Sequence, residues 1–201
     1  MTPDARVLLV RHAEPQHTQL CHGAVSDPGL SDSGTSAATL LSPRLRALGH
    51  ELGGITRLLT SPARRAVETV AEVAVALELP PTVAARWRER HFGVWEGQPW
   101  SELWPTVPRA VLEDHAAYAA FTPPQAETPS EVATRVGPAL TDALRGSGVT
   151  VVLTHAGVIR QCLAEALQVE LATALRIDVP YARMVVIGRI GDGLIVERVG
   201  V

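Results

Sequence analysis

Five residues of this 201-residue chain could together hold and attack a tetrahedral anion: Arg11, His12, Arg64, Arg65 and His155. Arg11-His12 and His155 each close a short apolar run, and Arg64-Arg65 stand a few residues past another. Arginine presents a planar fork that can grip two oxygens at once, and one carboxylate rarely needs so many donors, so phosphate is the preferred anion. A neutral imidazole nitrogen can attack phosphorus directly and form a phosphohistidine. Phosphoryl transfer also needs charge stabilisation and a proton for the leaving oxygen.

For these groups to meet, the elements carrying them must share an edge. Ala5 to Val10, Ile55 to Thr60 and Val149 to Thr154 are apolar runs of the length and β-branched character of strands buried on both faces. Thr82-Val83 is a further short candidate. Helical spacing follows from Gly34 (Ala37, Leu41, Leu45, Leu48), where Pro43 should kink or split the helix. Ser61-Pro62 reads as an N-cap and first helical position ahead of Ala66, Val70, Val73 and Leu77. Thr128-Pro129-Ser130-Glu131 is a capping box opening a helix to about Leu144. Another helix follows His155, and Gly191-Asp192-Gly193 joins the two arms of a hairpin, Met184 to Ile190 and Leu194 to Val199. Strands alternating with helices predict a three-layer α/β/α sandwich on a mostly parallel sheet, read as a single domain over residues 1–201. Parallel strands bring ligands to their carboxyl ends, where Arg11-His12, Arg64-Arg65 and His155 all lie. Residues 98–128 have a different texture, rich in tryptophan and proline with little periodicity, and read as an excursion covering a pocket.

Composition narrows the chemistry further. All 18 basic residues are arginine, which excludes a lysine Schiff base and a P-loop lysine. The absence of asparagine removes any N-glycosylation acceptor. A formal net charge of −3 gives no global attraction to nucleic acid or an anionic membrane. Cys21 and Cys162 fit two buried thiols of a reducing compartment better than a disulfide. With no apolar run of membrane length and no signal-peptide pattern, the expected location is cytoplasmic. No Asp-rich metal motif is evident, so a metal-independent, cofactor-free route is favoured. Spacing of His12, His17 and His22 matches no metal motif.

Four blocks, in order along the chain, resemble the histidine phosphatase superfamily, also called the phosphoglycerate mutase-like family. They are Arg11-His12-Ala13-Glu14, Thr60 to Thr69 (its S-P-x-x-R-A-x-x-T pattern, aligning Arg65 with the phosphate arginine), Arg88 to Gly97, and Thr154 to Arg160. The resemblance implies that His12 is the nucleophile and that Arg11, Arg65 and His155 hold phosphoryl oxygens. It implies that Glu89 protonates the leaving group and then activates water, and it adds Thr18 and Ala156 as phosphate contacts. Ala13 replaces the signature glycine, and Thr18 stands where an asparagine is common, leaving that contact open. Glu89 to Gly93 looks mutase-like, whereas Trp95-Glu96-Gly97 is closer to the phosphatases. The chain's length and its end just after the hairpin favour the phosphatases, and Arg176-Ile177-Asp178 looks like the α-ribazole phosphatase branch.

The expectation is therefore a phosphatase acting on a small phosphorylated metabolite. A phosphoglycerate-type mutase, a non-catalytic phospho-ligand module and a histidine-based metallohydrolase remain as rivals. Glu89 has a competing reading of its own, a solvated ion-pair cluster with Arg86, Arg88 and Arg90. His17, His22, His91 and His115 read as incidental, and Trp87, Trp95, Trp100 and Trp104 either pack the excursion or line its pocket. A homodimer through a sheet edge or an exposed apolar helix face is open.

Overall fold

A computed structural model describes residues 3–201. Strand β1 (Ala5–Arg11) leads through a long loop to α1 (Asp32–Glu51), then β2 (Ile55–Thr60) and α2 (Arg64–Leu77). The short β3 (Thr82–Val83) precedes α3 (Trp100–Leu103), α4 (Arg109–Glu113) and α5 (His115–Ala120). Next come α6 (Pro129–Ala143), β4 (Gly148–Thr154), α7 (Ala156–Leu167), α8 (Leu171–Ala174) and the hairpin of β5 (Met184–Ile190) and β6 (Gly193–Val199). The sheet runs β3-β2-β4-β1-β5-β6. Its β3·β2, β2·β4 and β4·β1 pairs are parallel, and β5 and β6 add two antiparallel pairs.

Alternation along the buried strands makes the layers. Val7, Leu9, Val152, Val185 and Ile187 join one core with α6 and α7 residues such as Val136, Leu140, Ile159 and Leu163. Leu8, Val10, Val151, Leu153 and Val186 face the other side, against Leu41, Leu45, Val70 and Val73 of α1 and α2. Side chains of a strand point alternately to opposite faces, so continuous apolar runs are what a sheet covered on both faces requires.

Two local expectations need correction. Helix α1 runs through Pro43 without a break. Pro43 is exposed while Leu41, Leu45 and Leu48 are buried, so packing holds the helix and the carbonyl freed by the missing N–H can meet solvent. Helix α2 begins at Arg64, with Ala63 rather than Ser61 at the N-cap position. Ser61 Oγ accepts from Ala63 N at 3.2 Å and so closes the turn ahead of the helix. The capping box at Thr128 and Glu131 is formed as expected, with Pro129 first in α6. Cys21 and Cys162 are buried free thiols in separate cores. No helix among the described residues is long and apolar enough to cross a membrane.

Candidate active site

The carboxyl ends of β1, β4 and β2 bring His12, His155 and the α2 residue Arg65 together, all three buried. His12 N donates to Thr154 O (2.9 Å), which ties the residue after β1 to the last residue of β4. Ala13 N donates to Thr69 Oγ1 (3.0 Å), and that hydroxyl donates to Arg65 O (2.6 Å), locking the loop after β1 to α2.

The hydrogen bonds also fix the proton positions. His12 Nδ1 lies 2.7 Å from Ala13 O, and a carbonyl can only accept, so Nδ1 carries the proton. Nε2 is then a lone pair, and Arg65 Nε donates to it at 3.3 Å. Burial, reinforced by the Arg65 and Arg11 cations, holds the His12 imidazole well below its ordinary pKa, so it is neutral at pH 7. His155 is held down in the same way, by burial first and Arg65 next. Arg65 Nη2 donates to His155 Nδ1 (3.3 Å), so Nε2–H of His155 donates to Ser61 Oγ (2.7 Å). The two imidazoles meet edge to face with centroids 5.0 Å apart.

Arg65 is anchored from behind, with Nη2 donating to Gly23 O (2.9 Å) and Nη1 to Ser26 O (3.2 Å). That loop hangs on Glu96, whose two carboxylate oxygens accept from Gly23 N, Ala24 N, Ser26 N and Phe92 N at 2.9–3.1 Å. A Cβ on Gly23 would stand 2.2 Å from Glu96 Oε1, so only glycine permits this approach. Arg11 lies over the Tyr181 ring, its guanidinium carbon 3.6 Å from the centroid, and donates to Val179 O at 2.7 Å. Its buried Nε has no partner. A buried donor without a partner is costly.

Glu89 is buried, and its carboxylate accepts from Arg90 N (2.9 Å) and Gly157 N (3.3 Å) at the start of α7. The competing ion-pair reading fails for it. Glu127 takes both Arg88 (3.0 Å) and Arg135 (2.7 Å), and Arg90 donates to Glu127 O, Phe121 O and Thr122 Oγ1. Arg64 sits apart on the surface, paired with Glu68 at 2.6 Å.

A cavity of about 330 Å³ opens over these groups, lined at its floor by Arg11, His12, Arg65, Glu89, Ala156 and Gly157. Thr18 lines it as well, so both added phosphate contacts border the cavity. His155 stands just behind this wall, fully buried. The 98–128 segment supplies Trp100, Tyr118, Ala119, Phe121 and Pro123 to the lining. The tryptophans divide their work: Trp87 is buried in the main core, Trp95 and Trp100 line the cavity, and Trp104 stacks behind Trp100. Sequence reasoning missed Tyr181, Ser61, Glu96 and Arg160. Glu96 and Arg160 sat inside motif blocks without a role, whereas Tyr181 lies in an irregular loop that carries no pattern at all. His22, read as incidental, lines the cavity with both ring nitrogens engaged, on Ser26 Oγ and His17 O (2.8 Å each). Among the described residues, no three His, Cys, Asp or Glu side chains gather as a metal-ligand group.

The model of the histidine phosphatase superfamily (branch 1) matches residues 7–201. The chain belongs to that family. The bifunctional protein Rv2228c of Mycobacterium tuberculosis is 30% identical over 198 residues, covering 94% of this chain and 51% of that protein. The chain thus spans about half the length of the curated relatives it matches. Among solved structures, Bacillus stearothermophilus YhfR superposes with a TM-score of 0.82 at 25% identity, over 96% of this chain and 95% of the other. The mycobacterial glucosyl-3-phosphoglycerate phosphatase Rv2419c superposes with 0.82 at 20% identity, over 97% and 98%. A putative α-ribazole-5'-P phosphatase from Escherichia coli gives 0.83 at 20%, over 98% and 96%. The six-stranded mixed sheet with helices on both faces is the fold of this histidine phosphatase family. Family membership supports a phosphatase or mutase type of activity, and these neighbours share the fold.

Proposed function

We propose that this histidine phosphatase family member is a metal-independent phosphomonoesterase that works through a phosphohistidine on His12. One observation carries the reading: the Nδ1–H to Ala13 O bond leaves His12 Nε2 as a neutral lone pair beside the buried Arg65 guanidinium. A phosphoryl group placed there meets the nucleophile and the Arg11 and Arg65 guanidiniums, with His155, whose Nδ1 accepts from Arg65, directly behind them. Attack by Nε2 forms the N–P bond while the P–O bond to the alcohol breaks. Glu89 gives its proton to the departing oxygen. The Glu89 carboxylate then takes a proton from water as that water attacks phosphorus, and His12 and inorganic phosphate are released. Arginine cations in a water-poor site stabilise the charge that develops on the equatorial oxygens.

The test is phosphate release from p-nitrophenyl phosphate in the presence of EDTA, with acid-labile phosphohistidine trapped in parallel. Wild type should turn over and trap label, and His12→Ala should do neither. Retained activity in His12→Ala would remove the nucleophile. EDTA-sensitive turnover would remove the metal-independent route, and return of phosphate to a sugar acid instead of water would identify a mutase.

A further inference from the structure

The roof of the cavity has a chemistry unlike its floor. Leu20, Phe92, Trp95, Trp100, Tyr118 and Phe121 form a nearly continuous apolar and aromatic wall. These rings are held by one another: Trp95 lies 5.5 Å from Phe121 and edge-on to Trp100 at 6.4 Å, and Trp100 stacks on Trp104 at 5.2 Å with a 19° tilt. A small core of Cys21, Trp95, Leu103 and Val107 backs them. The wall is therefore pre-formed and does not need a substrate to assemble it.

The wall holds few of the carboxylates and amides that pair two hydroxyls at once. Among the described residues lining the cavity, Glu89 is the only carboxylate, and there is no side-chain amide. Both nitrogens of His22 are engaged, Arg90 Nε and Nη2 donate to two carbonyls and a threonine hydroxyl, and Arg160 Nε donates to Ile177 O. A polyol buried here would have to pair with scattered groups on or beside aromatic rings: the hydroxyls of Thr18, Tyr118 and Tyr181, the indole N–H groups and the Arg160 fork. Each hydroxyl that found no partner would be costly.

We propose that the leaving group accepted by this cavity is an apolar, ring-bearing alcohol, so that the substrate is an aryl or arylalkyl phosphomonoester and not a sugar or sugar-acid phosphate. This rests on the phosphatase reading for the cavity floor. The aromatic wall excludes water around the ring of the alcohol, while Arg11 and Arg65 hold the phosphoryl group.

The experiment compares kcat/KM for 2-phenylethyl phosphate and glycerol 3-phosphate. Both release a primary alcohol, so leaving-group chemistry is nearly matched and the wall decides. Wild type should favour the phenylethyl ester by at least about tenfold, the discrimination that even one methylene gains in an apolar pocket. Trp100→Ala and Tyr118→Ala should each move the ratio of the two constants toward one; a variant that merely folds poorly lowers both constants and leaves the ratio alone. A wild-type ratio of one or less, or a ratio that neither variant changes, overturns the proposal while leaving the phosphatase reading standing. If neither ester is hydrolysed, turnover of p-nitrophenyl phosphate decides the phosphatase reading. Calorimetric binding of 3-phenylpropylphosphonate against 3,4-dihydroxybutylphosphonate then decides the wall separately, with tighter binding of the phenyl compound supporting it and equal affinities overturning it.

Discussion

The floor and the roof of the cavity are built by opposite means. At the floor Arg11, His12, Arg65 and His155 come from the end of a buried strand or the first turn of a long helix, Glu89 is pinned to the start of α7, and each is fixed by hydrogen bonds. At the roof, two helices of four and six residues and an irregular stretch present rings that rest on other rings. Rigid, desolvated polar groups suit charge stabilisation, which depends on sub-ångström placement. A patchwork of short elements suits recognition, because its residues can change without disturbing the sheet. Chemistry and selectivity should therefore be separable by mutation.

The largest effect is expected at Glu89. Glu89→Gln removes the proton donor and later the base, which should cost about 10²–10⁴ in turnover of alkyl esters. With p-nitrophenyl phosphate, whose leaving group needs no proton, the first step should survive and the second should stall, so phosphohistidine accumulates in rapid-quench experiments. Equal losses on both ester types, without a trapped intermediate, would take Glu89 out of this role. Next comes Arg65→Ala, which deletes a buried donor to the phosphoryl site and should lower kcat/KM by about 10²–10³ on every phosphoester alike. A loss confined to ring-bearing esters would break the division between floor and roof.

Much of the floor was legible in the sequence because strand burial and parallel topology leave little choice. Apolar runs ending at His12 and His155 place those residues at one edge, and the block around Arg65 follows β2, the strand on the other side of β4. Misreadings arose where tertiary contacts outrank local preference. Ser61 gave its hydroxyl to the turn and to His155 instead of capping α2, and packing carried α1 through Pro43. Glu89 could not be separated from its arginine neighbours by spacing, since its isolation depends on Glu127, which lies 38 residues later and takes Arg88. The roof was legible only as an irregularity. Nothing in residues 98–128 announces that Trp100 lines the cavity while Trp104 supports it.

A smaller effect is expected at Glu96, which touches neither phosphate nor ring but holds the loop that anchors Arg65. In Glu96→Gln the amide nitrogen must face backbone N–H groups that now donate to a carboxylate. The Gly23 and Ser26 carbonyls should loosen, and with them Arg65. We expect a fall in kcat/KM of about tenfold, the order of one weakened hydrogen bond to a charged group. Competitive inhibition by inorganic phosphate should weaken in parallel, with the preference between phenylethyl and glycerol esters unchanged. A purely structural role would lower the denaturation midpoint without moving the phosphate inhibition constant.

The smallest effect concerns stability, and it follows from the neutral imidazoles of the floor. Burial, then Arg65, keeps His12 and His155 well below the ordinary histidine pKa, and His22 shifts in the same direction, mainly by burial. In the unfolded chain each takes up a proton near pH 6.5, whereas the native imidazoles refuse it. Above that value neither state binds the proton and the linkage vanishes. As pH falls from 6.5, the unfolded state binds more protons than the native one, so stability drops, by about 1 kcal/mol per pH unit for each fully buried histidine. Urea denaturation between pH 7 and pH 5 should show this slope in wild type. Replacing His155 by Gln should remove about half of it, and Tyr118→Ala at the roof should leave it unchanged. A slope insensitive to His155 would mean that the floor does not carry the buried neutral pair on which the nucleophile depends.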